Sequence, residues 1–168
     1  MKNLRKNYIL ILSAVLLSFC GHAQNYNTAI GVRLGGLTSG ATIKHFTASR
    51  TALEGIFSFG QKSFLVTGIY EKHRSVDNAA GLTWFYGAGA HVGFFNYGGR
   101  YYIIKNNRTY VVREGDKATV IGVDFIIGLD YKIPNAPINI GLDFKPFVDF
   151  FDGPVAFYDA GLSLRFAF

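Results

Sequence analysis

The stretch Ile138-Asn139-Ile140-Gly141-Leu142-Asp143-Phe144-Lys145 alternates strictly between large apolar residues and small or charged ones. Because successive side chains of a β-strand point to opposite faces, this pattern predicts a strand with one apolar and one polar face. The same alternation runs over residues 83–94, 121–132 and 158–168. No window carries apolar residues at sustained helical spacing, so the sequence predicts an all-β chain.

Four weaker strands precede these, at residues 28–35, 40–46, 51–59 and 63–73. The segments between strands contain turn-forming residues, as in Gly35-Gly36-Leu37-Thr38-Ser39-Gly40 and Pro134-Asn135-Ala136-Pro137. The count is eight strands. An even number of antiparallel strands can close into a barrel, which removes the unpaired sheet edges.

The composition agrees with one β-domain and excludes several other classes. The chain has 168 residues, of which 49% are hydrophobic, 16% aromatic and 17% charged, with 20 Gly, 4 Pro and one Cys. About a quarter of the residues of a soluble domain are charged, so this chain is poor in charge. Disordered, coiled-coil and collagen-like chains are excluded, as are a disulfide framework and a Cys-rich zinc site.

The first 23 residues have the three parts of a secretory signal peptide. Lys2, Arg5 and Lys6 precede an apolar run over residues 8–19, which is too short to span a membrane as a helix, and Gly21-His22-Ala23 offers a cleavage site. Lipidation of Cys20 is the alternative, but Phe19 before it is large. We therefore expect a signal peptide at 1–23 and one barrel domain at 24–168.

The net charge gives little support for a nucleic-acid partner. Lys and Arg total 17 against 11 Asp and Glu, a net charge of +6. Three of the positive charges lie in the predicted signal peptide, which leaves 14 against 11, or +3, on an exported chain.

The polar faces of the strands carry small residues and charges of both signs, whereas the apolar faces are large and aromatic. A soluble lipocalin-like barrel would turn its charged face outward, whereas a membrane barrel encloses it. The narrow interior of eight strands holds side chains of this size. We therefore predict an enclosed charge network of Arg33, Lys44, Glu54, Glu71, Asp124, Asp130, Asp143, Lys145, Asp159 and Arg165, with Lys132 on the same face.

Aromatic residues near the strand ends predict two girdles around an apolar band. One girdle would contain Tyr70, Trp84, Tyr131 and Phe168, and the other Phe94, Phe147, Phe150 and Tyr158. The chain stops at an aromatic residue, with apolar residues at every second position before it. These residues, which resemble the C-terminal signal read by the outer-membrane barrel assembly machinery of Gram-negative bacteria, are Leu162, Leu164, Phe166 and Phe168.

Longer motifs resemble the small outer-membrane β-barrel family, of the eight-stranded OmpA/OmpX type with a porin-like barrel domain. They lie at residues 67–73, 84–93, 128–132, 136–139, 141–146 and 159–161. The resemblance implies an eight-stranded antiparallel transmembrane barrel in the outer membrane, in contact with lipid and lipopolysaccharide. It implies no defined activity and no cofactor.

Residues for catalysis or metal binding are few. His45, His73 and His91 lack metal-ligand spacing, and Glu71-x-His73 is the nearest approach to a site. A lipid A-modifying enzyme could use His91, Glu71 and Ser63 or Ser58, but no spacing supports that triad. We therefore expect no enzyme and no metal.

One long connection, residues 96–117, is rich in cations and tyrosines. Two short apolar runs flank Asn106-Asn107, which predicts a hairpin. The two neighbouring strands can simply extend beyond the membrane, and the hairpin can in addition contact anionic headgroups or an extracellular partner of unidentified chemistry. The residues expected to make such contacts are Arg100, Tyr101, Tyr102, Lys105, Arg108, Tyr110 and Arg113.

Overall fold

The computed structural model describes residues 27–60, 63–96, 101–105, 108–112, 117–150 and 154–168. The predicted signal peptide, residues 1–23, lies outside these ranges. None of the described residues forms a helix long and apolar enough to cross a membrane.

The described residues form ten strands. Their bounds are β1 Thr28–Gly35, β2 Gly40–Ala48, β3 Thr51–Gly60, β4 Ser63–Ser75, β5 Leu82–Asn96, β6 Tyr101–Lys105, β7 Arg108–Val112, β8 Lys117–Lys132, β9 Ile138–Phe150 and β10 Pro154–Ala167. Eight of them close into an antiparallel barrel in the order β1-β10-β9-β8-β5-β4-β3-β2, and β6 pairs with β7 alone. The prediction of an all-β, closed, eight-stranded antiparallel barrel is therefore confirmed.

The barrel closes by pairing its first strand with its last. Ala29 faces Ala167 and Gly35 faces Gly161 in this register. At the end of the ladder Thr28 and Phe168 exchange two backbone hydrogen bonds, of 3.0 and 2.8 Å. We call this end, where β1 begins and β10 ends, the terminal rim, and the other end the opposite rim.

One connection between neighbouring barrel strands is much longer than the others. At the terminal rim, short turns join β2 to β3, β4 to β5 and β8 to β9. Asn78 and Asn135, each at φ 61°, lie in the second and third of these turns, since Asn tolerates the left-handed region. The long connection from β5 to β8, which carries the β6–β7 hairpin, leaves from the opposite rim.

The two faces of the barrel have opposite polarity. Outward-facing side chains are apolar and exposed; Leu34 is 64% exposed and Ile121 is 58% exposed. Inward-facing positions hold buried charged and hydroxyl side chains, together with a small apolar cluster of Ile56, Ile69, Phe85 and Ile126.

The prediction that Phe147 lies at a rim is wrong, and three of the strands with weaker alternation are longer than expected. Phe147 is 7% exposed and faces the interior, since it lies two residues after inward-facing Lys145 on β9. Strands β2, β3 and β4 each extend past their predicted ends at 46, 59 and 73. Of the other expected girdle residues, Trp84 is half-buried, and those exposed at the surface are Tyr70, Phe94, Tyr131, Phe150, Tyr158 and Phe168.

Candidate functional site

The ten residues predicted to form the charge network all face the interior and are buried. The structure groups them into three clusters. The Lys44 cluster contains Lys44, Glu54, Glu71, Asp130 and Arg165; the Arg33 cluster contains Arg33, Asp143 and Asp159; the Lys145 cluster contains Lys145 and Asp124 together with His91 and Asp149.

In the Lys44 cluster, one ammonium group contacts three carboxylates from three different strands. Lys44 Nζ lies 3.2 Å from Glu54 Oε2, 2.9 Å from Glu71 Oε2 and 2.8 Å from Asp130 Oδ2. It also lies 4.1 Å from the ring centroid of Phe85, which is close enough for a cation–π contact. Glu54 is the cross-strand neighbour of Lys44 on β3, and Glu71 lies on β4. Asp130 lies on β8, opposite β2 in the barrel, so the Lys44–Asp130 contact crosses the interior.

Arg165 on β10 completes this cluster. Its guanidinium contacts Glu54 at 2.5 Å, and donates to Asp130 at 3.2 Å and to the Asn139 side-chain oxygen at 3.1 Å. Thr42 donates a further 2.5 Å hydrogen bond to Glu54. The cluster therefore contains two cations and three carboxylates, all with side chains no more than 3% exposed.

A histidine adjoins the third carboxylate. His73 Nε2 lies 2.9 Å from Glu71 Oε2, and the imidazole stacks on Phe85 with ring centroids 5.0 Å apart. This is the Glu71-x-His73 pair noted in the sequence. With a neutral imidazole the cluster has one net negative charge, and with an imidazolium it is neutral.

The Arg33 cluster lies at the opposite rim, next to the β1–β2 turn. Arg33 makes two hydrogen bonds to the Asp143 carboxylate, of 3.1 and 2.6 Å, and one of 3.0 Å to Asp159. It also donates to the backbone oxygen of Thr38 at 2.9 Å. A Cβ atom at Gly161 would collide with the Arg33 guanidinium, so glycine makes room for the cation there.

Backbone donors distinguish this cluster from the first. Asp159 accepts hydrogen bonds from the backbone N–H groups of Leu37 at 2.9 Å and Thr38 at 3.2 Å, and from the Thr38 hydroxyl at 2.5 Å. The carboxylate therefore joins the barrel wall to the turn.

The Lys145 cluster contains a histidine between two carboxylates. Lys145 Nζ lies 2.9 Å from Asp124 Oδ1 and 4.5 Å from the Phe147 ring centroid. His91 Nδ1 lies 2.7 Å from Asp124 and its Nε2 lies 3.0 Å from Asp149. Both ring nitrogens would donate if the imidazole carried two protons. Asp149, with its side chain 17% exposed, is the most accessible member.

Several members of these clusters were not predicted. The charge pattern of β9 places Asp149 on the face of Lys145, which could have identified it from sequence alone. The roles of Thr38, Thr42 and Asn139 follow from which strands lie side by side, and their residue types give no such signal.

The residues considered for a lipid A-modifying triad are not brought together. His91 contacts Asp124 and Asp149, whereas Glu71 contacts Lys44 and His73. Ser58 lies buried on the inner face of β3, and the side chain of Ser63 lies outside the described part. Within the described ranges, no three His, Cys, Asp or Glu side chains are arranged to hold a metal ion.

A cavity of about 540 Å³ opens at the terminal rim. Its polar lining includes Thr83, Asp130, Lys132 and Asn139, so it reaches the edge of the Lys44 cluster. The ammonium-bearing residue of this lining is Lys132.

The predicted hairpin of the long connection is present as the β6–β7 pair, in which Tyr101 faces Val112 and Lys105 faces Arg108. Tyr102 and Tyr110 lie on the same two strands. Arg100, Arg113 and the turn residues Asn106 and Asn107 lie outside the described residues. Of the C-terminal residues, Leu162, Leu164 and Phe168 are exposed on the outer face and Phe166 is half-buried.

Comparison with known proteins shows likeness in fold. No family profile and no curated protein matches the chain. The N-terminal β-barrel domain of Pseudomonas aeruginosa OprF is 15% identical, with a TM-score of 0.61 over 86% of this chain and all of that one. Neisserial surface protein A is 11% identical, with a TM-score of 0.48 over 84% of this chain and 93% of that one. The chain thus has the fold of a small eight-stranded outer-membrane β-barrel, as its sequence motifs predicted.

Proposed function

We propose that this protein is an integral outer-membrane β-barrel with a structural or surface-interaction role and a lumen filled by its own side chains. The polarity of its two faces is the observation that carries the proposal. A barrel in water buries its apolar face, whereas here the charges are enclosed and the large apolar residues are exposed. This arrangement suits a hydrocarbon solvent, in which a closed barrel also leaves no backbone edge unpaired.

The apolar band has the height that a bilayer requires. On β8, outward-facing residues run without a charge from Ile121 to Tyr131. At about 3.4 Å per residue and a tilt of about 45°, these ten steps rise about 24 Å, close to the ~25 Å apolar band of outer-membrane barrels.

Cell fractionation tests the membrane assignment. We expect the protein in outer-membrane fractions, with a gel mobility that changes on heating because the folded barrel resists detergent. Recovery in the soluble periplasm after mild lysis would contradict the proposal and favour a lipocalin-like carrier.

The paired charges support a lumen without a wide pore. The three clusters contain side chains from all eight barrel strands, in an interior that eight strands leave narrow. We expect no stable large conductance when the purified protein is incorporated into planar bilayers. A stable large conductance would make the protein a channel.

The proposal includes no catalysis. Incubation with labelled lipopolysaccharide, followed by mass analysis, should return the lipid unchanged. Loss or transfer of an acyl chain would favour the alternative of a lipid A-modifying barrel. An acyl chain bound inside the barrel would favour lipid binding.

The β6–β7 hairpin is the candidate interaction surface. Outer-membrane barrels have short periplasmic turns and longer extracellular loops. We therefore assign the opposite rim, from which the long connection leaves, to the outside of the cell and the terminal rim to the periplasm. The exposed C-terminal residues Leu162, Leu164 and Phe168 would then be available to the assembly machinery during insertion.

Deleting residues 101–112 tests the surface role. We expect a folded, heat-modifiable barrel that has lost binding to lipopolysaccharide or to cell surfaces. Unchanged binding would leave the hairpin as an extension of the barrel strands. Cleavage of this loop from the periplasmic side alone would overturn the orientation.

A further inference from the structure

We propose that the outer face of β4 at the terminal rim binds the phosphate headgroup of an anionic phospholipid, through Lys72 and Arg74. Tyr70 and Trp84 frame this site. The inference rests on the proposed function, since it requires the barrel to lie in a bilayer.

The distribution of charge over the outer face is the first observation. Among the outward-facing barrel-strand residues whose exposure is described, the formally charged ones are Lys72 and Arg74. They lie two residues apart on one strand and so share a face, about 7 Å apart. Arg50, in the β2–β3 turn, is also exposed. It lies beside this pair, because its carbonyl oxygen accepts a 2.9 Å hydrogen bond from the N–H of His73, the residue between Lys72 and Arg74.

The partners of these cations are neutral. Lys72 Nζ donates to Thr51 Oγ1 at 2.8 Å and lies 5.2 Å from the Tyr70 ring centroid. The Arg74 guanidinium lies 5.9 Å from the Trp84 ring centroid. In the described part of the chain, neither cation forms a salt bridge, and Asp77 in the next turn is not paired with them either. Their positive charge is therefore available to an external anion.

The order of residues along β4 places the cations at headgroup depth. From the opposite rim, its outward-facing residues are Phe64, Val66, Gly68, Tyr70, Lys72 and Arg74. Apolar residues thus give way to tyrosine and then to charge, as expected for a strand that leaves hydrocarbon for water. Trp84 faces Arg74 on β5 and stacks on Tyr86, with ring centroids 5.5 Å apart, and Trp and Tyr favour the membrane interface.

The chemistry of the pair suits a phosphodiester. An arginine guanidinium can make two parallel hydrogen bonds to phosphate oxygens, and a lysine supplies a flexible point charge beside it. The terminal rim faces the periplasm in the proposed orientation, and the leaflet there consists of glycerophospholipids. This favours a phospholipid over the phosphates of lipid A.

Lipid retention measured by native mass spectrometry tests the site. The full chain is reconstituted in an equimolar mixture of phosphatidylglycerol and phosphatidylcholine. The protein is then released from the bilayer in the mass spectrometer, and the lipid molecules that stay bound to it are counted. The test variant is K72Q/R74Q. K72R/R74K retains both charges, and K132Q removes a cation at the same rim from the cavity side. We expect wild type, K72R/R74K and K132Q to retain phosphatidylglycerol over phosphatidylcholine by about tenfold or more, and K72Q/R74Q to lose most of that preference.

The outcomes separate this inference from the proposed function. A wild-type protein that inserts into bilayers but retains the two lipids equally overturns the headgroup site alone. Failure of the wild type to insert into any bilayer overturns both. An equal loss of preference in K132Q would show that the total charge at the rim matters and Lys72 and Arg74 do not act specifically. In a second reconstitution with phosphatidylglycerol and lipid A, stronger retention of lipid A that is lost in K72Q/R74Q would overturn the assignment to phospholipid.

Discussion

The Lys44 cluster and the Arg33 cluster both stabilise charged side chains that are buried in the barrel, but with different partners. In the Lys44 cluster every cation–carboxylate contact is between side chains, and the two cations are shared among three carboxylates. In the Arg33 cluster the backbone of the β1–β2 turn supplies two donors to Asp159 and one acceptor to Arg33. In the Lys44 cluster each charge is therefore stabilised mainly by other charged side chains. In the Arg33 cluster the charges are also stabilised by backbone groups, which remain in place when a side chain is substituted.

The largest effect is expected from Lys44→Met. This substitution would leave Glu54, Glu71 and Asp130 buried with Arg165 as the one remaining cation of the cluster. Because an uncompensated buried charge is strongly unfavourable, we expect the free energy of unfolding to fall by about 3–5 kcal/mol. Urea titration of the refolded protein in detergent, followed by gel mobility, measures the change. A loss below about 1 kcal/mol would mean that water or protons already compensate these carboxylates.

Arg33→Met should cost less, about 2 kcal/mol, although the arginine makes as many contacts. Asp159 would keep its bonds from Leu37, Thr38 and the Thr38 hydroxyl, so Asp143 would be the main carboxylate left without a partner. The same urea titration compares it with Lys44→Met. Equal losses in the two variants would contradict the protective role assigned to the turn backbone.

The smallest effect is expected from Glu71→Gln, within about 1 kcal/mol of wild type. Removing this carboxylate charge leaves Glu54 and Asp130 opposite Lys44 and Arg165, and the amide oxygen can still accept from Lys44. Glu54→Gln is the matched control. Its expected loss is larger, because Glu54 contacts Lys44, Arg165 and Thr42. Equal losses would indicate that His73 is protonated and balances Glu71.

The members of these clusters could be predicted in part, because the alternation along each strand shows which residues share a face. Period-two alternation places Asp143 and Lys145 on one face of β9 and Leu142 and Phe144 on the other, and this follows from backbone geometry alone. The same alternation puts Phe147 on the inner face, whereas a large aromatic residue near a strand end is typical of a rim. In the structure Phe147 lies inside the barrel, where its ring packs on Lys145 and His91.

Sequence alone predicts the all-β class, the eight barrel strands, the polarity of the two faces and the set of ten inward-facing charges. Each is a local property, readable from the alternation of side chains and the turns between strands. Which charge meets which partner was decided by the tertiary structure alone. Arg33 contacts Asp143, which lies 110 residues later, and Arg165 contacts Glu54, because barrel closure and strand register bring their strands together. The position of Lys72 and Arg74 beside Trp84 at one rim likewise follows from the pairing of β4 with β5 in the closed barrel.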